Sequence, residues 1–187
     1  AAPAAAPTPP PILPFDQALA NAANTLFSKA QLPTAPPKLD LVIDPLIDGV
    51  TGAQSVTTRS MERTLVNLVK SQHPRFDVQP FNTSTVAKSP IVLIGTFTLI
   101  NNAGQPTGPK DAYRICLALA DLKSGKIIAK GAARAKPDGI DNTPTAFFSE
   151  TPVFAKDPVT EGYIKSCQAS TLGGPIDQAY ADRIVSA

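Results

Sequence analysis

Prolines decide where regular structure can run in this chain. There are 20 of them in 187 residues, and each bars a helix interior, withholds a donor from a central strand and biases its predecessor toward extended geometry. Their positions therefore divide the sequence into segments. The opening "AAPAAAPTPPP" (residues 1–11) has alanine runs cut by prolines and no side chains able to fill a core, so it reads as an extended, semi-rigid tether. "LPTAPPK" (Leu32–Lys38) stops one periodic segment, His73-Pro74 stops the next, and Pro80 marks a strand end or edge.

Between these stops the apolar residues keep two different periods. In "PFDQALANAANTLFSKAQ", Phe15, Leu19, Ala22, Ala23, Leu26, Phe27 and Ala30 recur at helical spacing, with Asp16 placed as an N-cap. "LDLVID" (Leu39–Asp44) reads as a strand and runs into an aspartate- and glycine-rich loop ending near Ser55. From about Ser55 to Gln72 a second helix is predicted, with Met61, Leu65, Leu68 and Val69 on one face and Arg59, Glu62, Arg63 and Lys70 outside it. "RFDVQPF" suits a short strand and "NTSTVAK" a turn or single helical turn. "SPIVLIGTFTLI" (Ser89–Ile100) is apolar on both faces at first, as a central strand must be. After the turn-rich "NNAGQPTGPKD", the strands "AYRICLALADL" and "KIIAKGAARA" flank Lys123-Ser124-Gly125, a tight hairpin signal. Tyr113, Ile115, Leu117 and Leu119 share the face expected under the helices.

Helix, strand, helix, strand, a short turn and three strands in a meander imply an α/β (α+β) sandwich: a mixed sheet of about four to five strands with helices on one side. The length allows one domain of about 100 to 150 residues plus a tail. The expected division is a tether over 1–14, the α/β domain over 15–135 and an irregular extension over 136–187. That extension has a turn residue every few positions, yet it carries Phe147, Phe148 and Phe154, so it is expected to wrap on the domain, with helices starting near Pro158 and Pro175.

The chemistry the sequence offers is sparse. The 17 basic and 15 acidic residues are scattered and leave no electrostatic footprint for nucleic acid or anionic lipid. The longest apolar stretch, Ile91 to Ile100, is about half what a membrane-spanning helix needs. Neither phosphate-binding glycine pattern occurs, nor does an EF-hand spacing, so no cofactor and no metal are assigned. Asp44 and Asp48 are the one carboxylate pair with enzymatic potential, but Asp-Pro and Asp-Gly are favoured turn dipeptides. His73, the single histidine, stands at a helix end where a structural imidazole is common. "NTS" at Asn82–Ser84 matches the glycosylation sequon and reads as a turn. Cys116 and Cys167 lack metal or redox spacing and are either two buried thiols or one disulfide. Export would favour the disulfide, whose loop of roughly 50 residues would stabilise by about 3 to 4 kcal/mol.

Taken in order, the tether, "FDQALANAANTLFSKAQLP", "LDLVIDPLIDGVTG", "TTRSMERTLVNLVKSQ", "RFDVQPF", "PIVLIGTF" and "YRICLALADLKSGKIIAKGAARA" resemble the LpoB family over residues 12 to 135. These are outer-membrane lipoproteins whose periplasmic domain activates a penicillin-binding protein, a peptidoglycan synthase. The domain also looks like the wider group holding the TolB N-terminal domain and CsgG. Two features depart from the family: residues 1–14 hold no lipid-bearing cysteine, and the residues after Lys136 have no counterpart. The resemblance implies a surface turn for the Asp/Gly loop and a non-enzymatic periplasmic adaptor, with any membrane tie made through an N-terminal lipid. The alternatives are an envelope secretion or assembly component of the CsgG or TolB type and a hydrolase using Asp44 and Asp48. If a protein partner binds directly, exposed aromatic and arginine side chains are the candidates: Phe147, Phe148, Tyr163 and Arg59.

Overall fold

The computed structural model describes residues 12–30, 32, 37–44, 46–49, 54–80, 82–100, 112–136, 167, 174–176 and 178. Its elements are β1 (Ile12–Leu13), α1 (Phe15–Lys29), β2 (Leu39–Ile43), β3 (Ile47–Asp48), α2 (Val56–Gln72), β4 (Phe76–Gln79), α3 (Thr83–Val86), β5 (Ile91–Ile100), β6 (Ala112–Asp121) and β7 (Lys126–Ala135).

Helices α2 and α3 start where side chains satisfy their first amides. At α2 the Ser55 Oγ accepts from the Thr58 N–H at 3.2 Å, and Thr58 Oγ1 accepts from the Ser55 N–H at 2.8 Å, a reciprocal cap. At α1 the N-cap is Pro14, one turn's amide returning from Ala18 to its carbonyl at 2.9 Å, and Asp16 lies inside the first turn. The expected cap at Asp16 is thus displaced by two residues, because proline's fixed φ already suits a helix start. For α3, the Asn82 side chain accepts from the Thr85 N–H at 2.9 Å, so the sequon's asparagine serves as a turn anchor.

The expected mixed sheet with packed helices is the observed fold, with seven strands in place of four to five. Its order is β1-β7-β6-β5-β2-β4, and β3 also pairs with β5. β2, β4 and β5 are parallel, while β5, β6 and β7 form an antiparallel meander. One additional strand comes from the Asp/Gly segment. Ile43 pairs with Leu93 and Ile47 with Thr96, so four steps along one chain match three along β5, a bulge after which pairing resumes. The segment expected to be a surface loop therefore continues the sheet as far as Asp48, with Leu46 fully buried and Ile47 6% exposed. Two apolar side chains and an available β5 edge outweigh the turn preference of the dipeptides.

Both faces of the sheet are filled. On the first, Leu19, Leu26, Met61 and Leu65 from α1 and α2 pack on Leu41, Leu93, Phe97, Ile115 and Leu117. Phe97 stacks on Tyr113 at 4.1 Å between ring centroids and meets Phe15 edge-on at 5.6 Å. α1 crosses β7 so closely that a Cβ on Gly131 would strike the carbonyl oxygen of Ala22 and stand 3.1 Å from the Leu26 nitrogen. On the second face Val42, Ile47, Val92, Ile94, Cys116, Ala118 and Ile127 are buried with Val86 of α3 and with Cys167 and Ile176. Backbone bonds hold that last segment: Ile127 N–H to the Gly174 carbonyl at 2.9 Å, and Ile176 N–H to the Gly125 carbonyl at 3.0 Å.

Candidate functional site

The side chains with reactive potential meet on the second face, at the junction of β6 and β7. Cys116 alternates with Arg114 and Ala118 along β6, and its strand partners are Thr96 on β5 and Ala132 on β7. Cys167 comes from 51 residues away and is fully buried above it, its helical backbone presenting both its sulfur and its carbonyl to Cys116. The two Sγ atoms lie 2.7 Å apart, and Cys116 Sγ lies 2.8 Å from the Cys167 carbonyl oxygen. Both residues are thiols.

Electrostatics separates the two. Hydrogen bonding from the Cys167 thiol, aided by the Lys130 and Arg114 charges and the Thr96 hydroxyl, pulls the Cys116 thiol below the ordinary range against the opposing effect of burial. Full burial pushes Cys167 well above it. The Cys167 carbonyl can accept a proton from a Cys116 thiol but would repel a thiolate. At rest the pair is therefore a donor chain, Cys167 S–H to Cys116 S–H to carbonyl, and Cys116 is the first to ionise.

Cys116 is also the more accessible sulfur. It is 6% exposed and forms part of the wall of a cleft of about 400 Å³, shared with Thr25 and Lys29 of α1 and with Arg114, Lys130 and Gly131. Among the described residues, three cationic side chains line this opening. Lys29, Lys130 and Arg114 carry no sequence motif; only the hairpin register, counted outward from the Lys123-Ser124-Gly125 turn, would have set Lys130 diagonally beside Cys116.

The other described candidates stand apart from this cleft. Asp44 follows β2, its N–H donating to the Leu93 carbonyl at 3.0 Å, while Asp48 lies in β3 opposite Phe97; both engage in further interactions. His73 caps the C-terminus of α2 through its N–H to Val69, stacks on Phe27 at 4.6 Å and has Nε2 3.3 Å from Asn24 Oδ1. Burial lowers its pKa. Glu62 faces inward enough to accept the Leu46 N–H at 2.8 Å, a role the sequence did not reveal; burial raises its carboxyl pKa against that bond and the Arg59 and Arg63 charges. Arg59 is exposed on α2, and Phe147, Phe148 and Tyr163 lie outside the described residues. Among the described residues no cluster of three or more His, Cys, Asp or Glu is placed to hold a metal, and no helix is long and apolar enough to cross a membrane.

No known family profile matches the chain, and no curated protein matches it in sequence. Two solved structures are similar to it at the level of fold. The LpoB C-terminal domain from Escherichia coli aligns at 13% identity and a TM-score of 0.43, over 64% of this chain and 96% of that one. The LpoB C-terminal domain from Salmonella enterica aligns at 13% and 0.43, over 65% and 97%. Likeness at this level carries no functional argument.

Proposed function

We propose that this chain is a non-enzymatic protein-binding module of the bacterial cell envelope, working in the periplasm to bind and activate a peptidoglycan synthase of the penicillin-binding class. The order of its elements, read from the sequence as LpoB-like, supports the family; the proline- and alanine-rich residues 1–11, ahead of β1, would act as a spacer from a lipid anchor. The observation that carries a binding role is the outward face of α2. Val56, Arg59, Arg63 and Lys70 fall on one exposed stripe, and among the described residues Val56 is the large apolar side chain most open to solvent, at 40%. Arginine is among the residue types enriched at interface hot spots, and the charge of this stripe calls for an acidic partner surface.

The experiment is a pull-down of penicillin-binding proteins with the purified chain, joined to an assay of glycan polymerisation. Binding and faster polymerisation, both lost in an Arg59→Glu/Arg63→Glu variant of unchanged melting temperature, are the expected results. Absence of both binding and rate change rules out the activator role. A stable ring by light scattering would favour an assembly role of the CsgG or TolB type instead.

A further inference from the structure

We infer that Cys116 and Cys167 form a thiol–disulfide exchange pair, in which Cys116 takes up a small anionic disulfide through the cationic cleft and Cys167 resolves it, leaving an intrachain disulfide that fastens the C-terminal segment to the second face of the sheet. This goes beyond the partner-binding reading and does not depend on it.

The geometry supplies each requirement. The sulfurs are 2.7 Å apart, against a disulfide bond of about 2.05 Å, so closure asks for a displacement under about 1 Å. Of the two, Cys116 alone lines the cleft, and Cys167 is fully enclosed, which fixes the order of attack. Lys29, Arg114 and Lys130 around the opening favour a disulfide bearing carboxylates and stabilise the developing thiolate. Thr96, fully buried between the strands, adds a hydroxyl donor to the same sulfur.

The steps balance with an external disulfide, R–S–S–R, as oxidant. The Cys116 thiolate attacks one of its sulfurs, forming Cys116–S–S–R and releasing RS⁻, which takes the proton lost from Cys116. Cys167 then loses its proton and attacks Cys116 Sγ; the bond to SR breaks, the Cys116–Cys167 bond forms, and the second RS⁻ leaves as RSH with the Cys167 proton. Two protein thiols are oxidised by two electrons, and the external disulfide is reduced to two thiols.

The consequence is mechanical. Ile176 and the backbone of residues 174–176 dock on the β6–β7 hairpin near its turn, and Cys167 docks at its middle, so one bond converts a noncovalent clasp into a covalent, reducible one.

The test uses the reduced full chain with oxidised glutathione, which is anionic, and cystamine, which is cationic, followed by alkylation and mass spectrometry. The wild type should lose both thiols without retaining an adduct. Cys167→Ser should accumulate glutathione on Cys116, and Cys116→Ser should react about tenfold more slowly or less. In Cys167→Ser, the advantage of glutathione over cystamine should shrink as salt is added. The inference is overturned if the folded wild type keeps both thiols while the urea-unfolded chain oxidises, if it retains the adduct without closing, or if Cys116→Ser reacts as fast as Cys167→Ser. It is equally overturned if cystamine reacts as fast as glutathione at low salt. The wild-type result needs no substitution, so a variant that fails to fold leaves the test intact.

Discussion

Replacing Gly131 by alanine should unfold this protein more readily than any other single methyl addition in the sheet. The backbone of Gly131 is outside the left-handed region, so the change carries no conformational strain and gains a few tenths of a kcal/mol or more from the unfolded chain. The cost is entirely steric. The new Cβ would meet the Ala22 carbonyl oxygen, with the Leu26 nitrogen at 3.1 Å and the Ala22 carbonyl carbon at 3.2 Å. All three are backbone atoms of α1 and cannot swing aside, in contrast with Gly95, whose nearest neighbours are the side chains of Leu117 and Leu46. The helix must lift by about 1 Å, and a gap of that size forfeits a quarter to a half of a dispersion contact. α1 buries Ala18, Leu19, Ala22, Ala23, Leu26 and Phe27, worth about 10 kcal/mol by area. Losing a quarter of that gives about 2.5 kcal/mol, inside the range for overpacked cores. Urea unfolding followed by far-ultraviolet circular dichroism should show a midpoint lower by about 2 M, and thermal melting one lower by about 10 °C. Amide exchange should accelerate in α1 before the rest of the domain. The control is Gly125→Ala, where φ is +70° and nothing lies within 4 Å, so the cost is conformational and about 1 kcal/mol. A loss under about 0.5 kcal/mol for Gly131→Ala, or equal losses at the two sites, would refute the close crossing of α1 over β7.

Three further outcomes follow from the capping and titrating groups. Glu62→Gln keeps an acceptor for the Leu46 N–H and removes a carboxylate that burial disfavours, so it should leave stability at pH 7 unchanged or raised, whereas Glu62→Ala should cost about 1 to 3 kcal/mol by chemical denaturation. His73 binds its proton less readily folded than unfolded, so its contribution is fully present above the unfolded pKa of about 6.5 and declines as pH falls through the folded value. A urea series in mildly acidic buffers should show that decline, and His73→Gln should remove it. Ser55→Ala breaks the reciprocal bond with Thr58 and should cost about 1 kcal/mol, read as a lower melting temperature.

Sequence reading and structure part company in particular places. α2 was legible because its cap, its apolar face and its proline stop all lie within one short segment. β5 was legible because a strand buried on both sides needs an unbroken apolar run. The Asp/Gly segment misled because its dipeptides favour turns, while Leu46 and Ile47 were worth more against a strand whose paired residues lie 49 positions further along than any local preference. The cleft at Cys116 was illegible for a related reason: Lys29, Arg114 and Lys130 belong to three elements and share no spacing.

By itself the sequence determined the segments: where α2 begins and stops, that β5 is a central strand, and that Lys123-Ser124-Gly125 turns a hairpin. Those features are set by backbone dihedrals and side-chain periods within a few residues of one another. Only the tertiary structure decided that β3 extends the sheet, that Gly131 is the contact point of α1, and that a cysteine near the end of the chain comes to rest on Cys116. Each of those depends on which distant surfaces close over one another, and the burial that drives such closure has no direction along the chain.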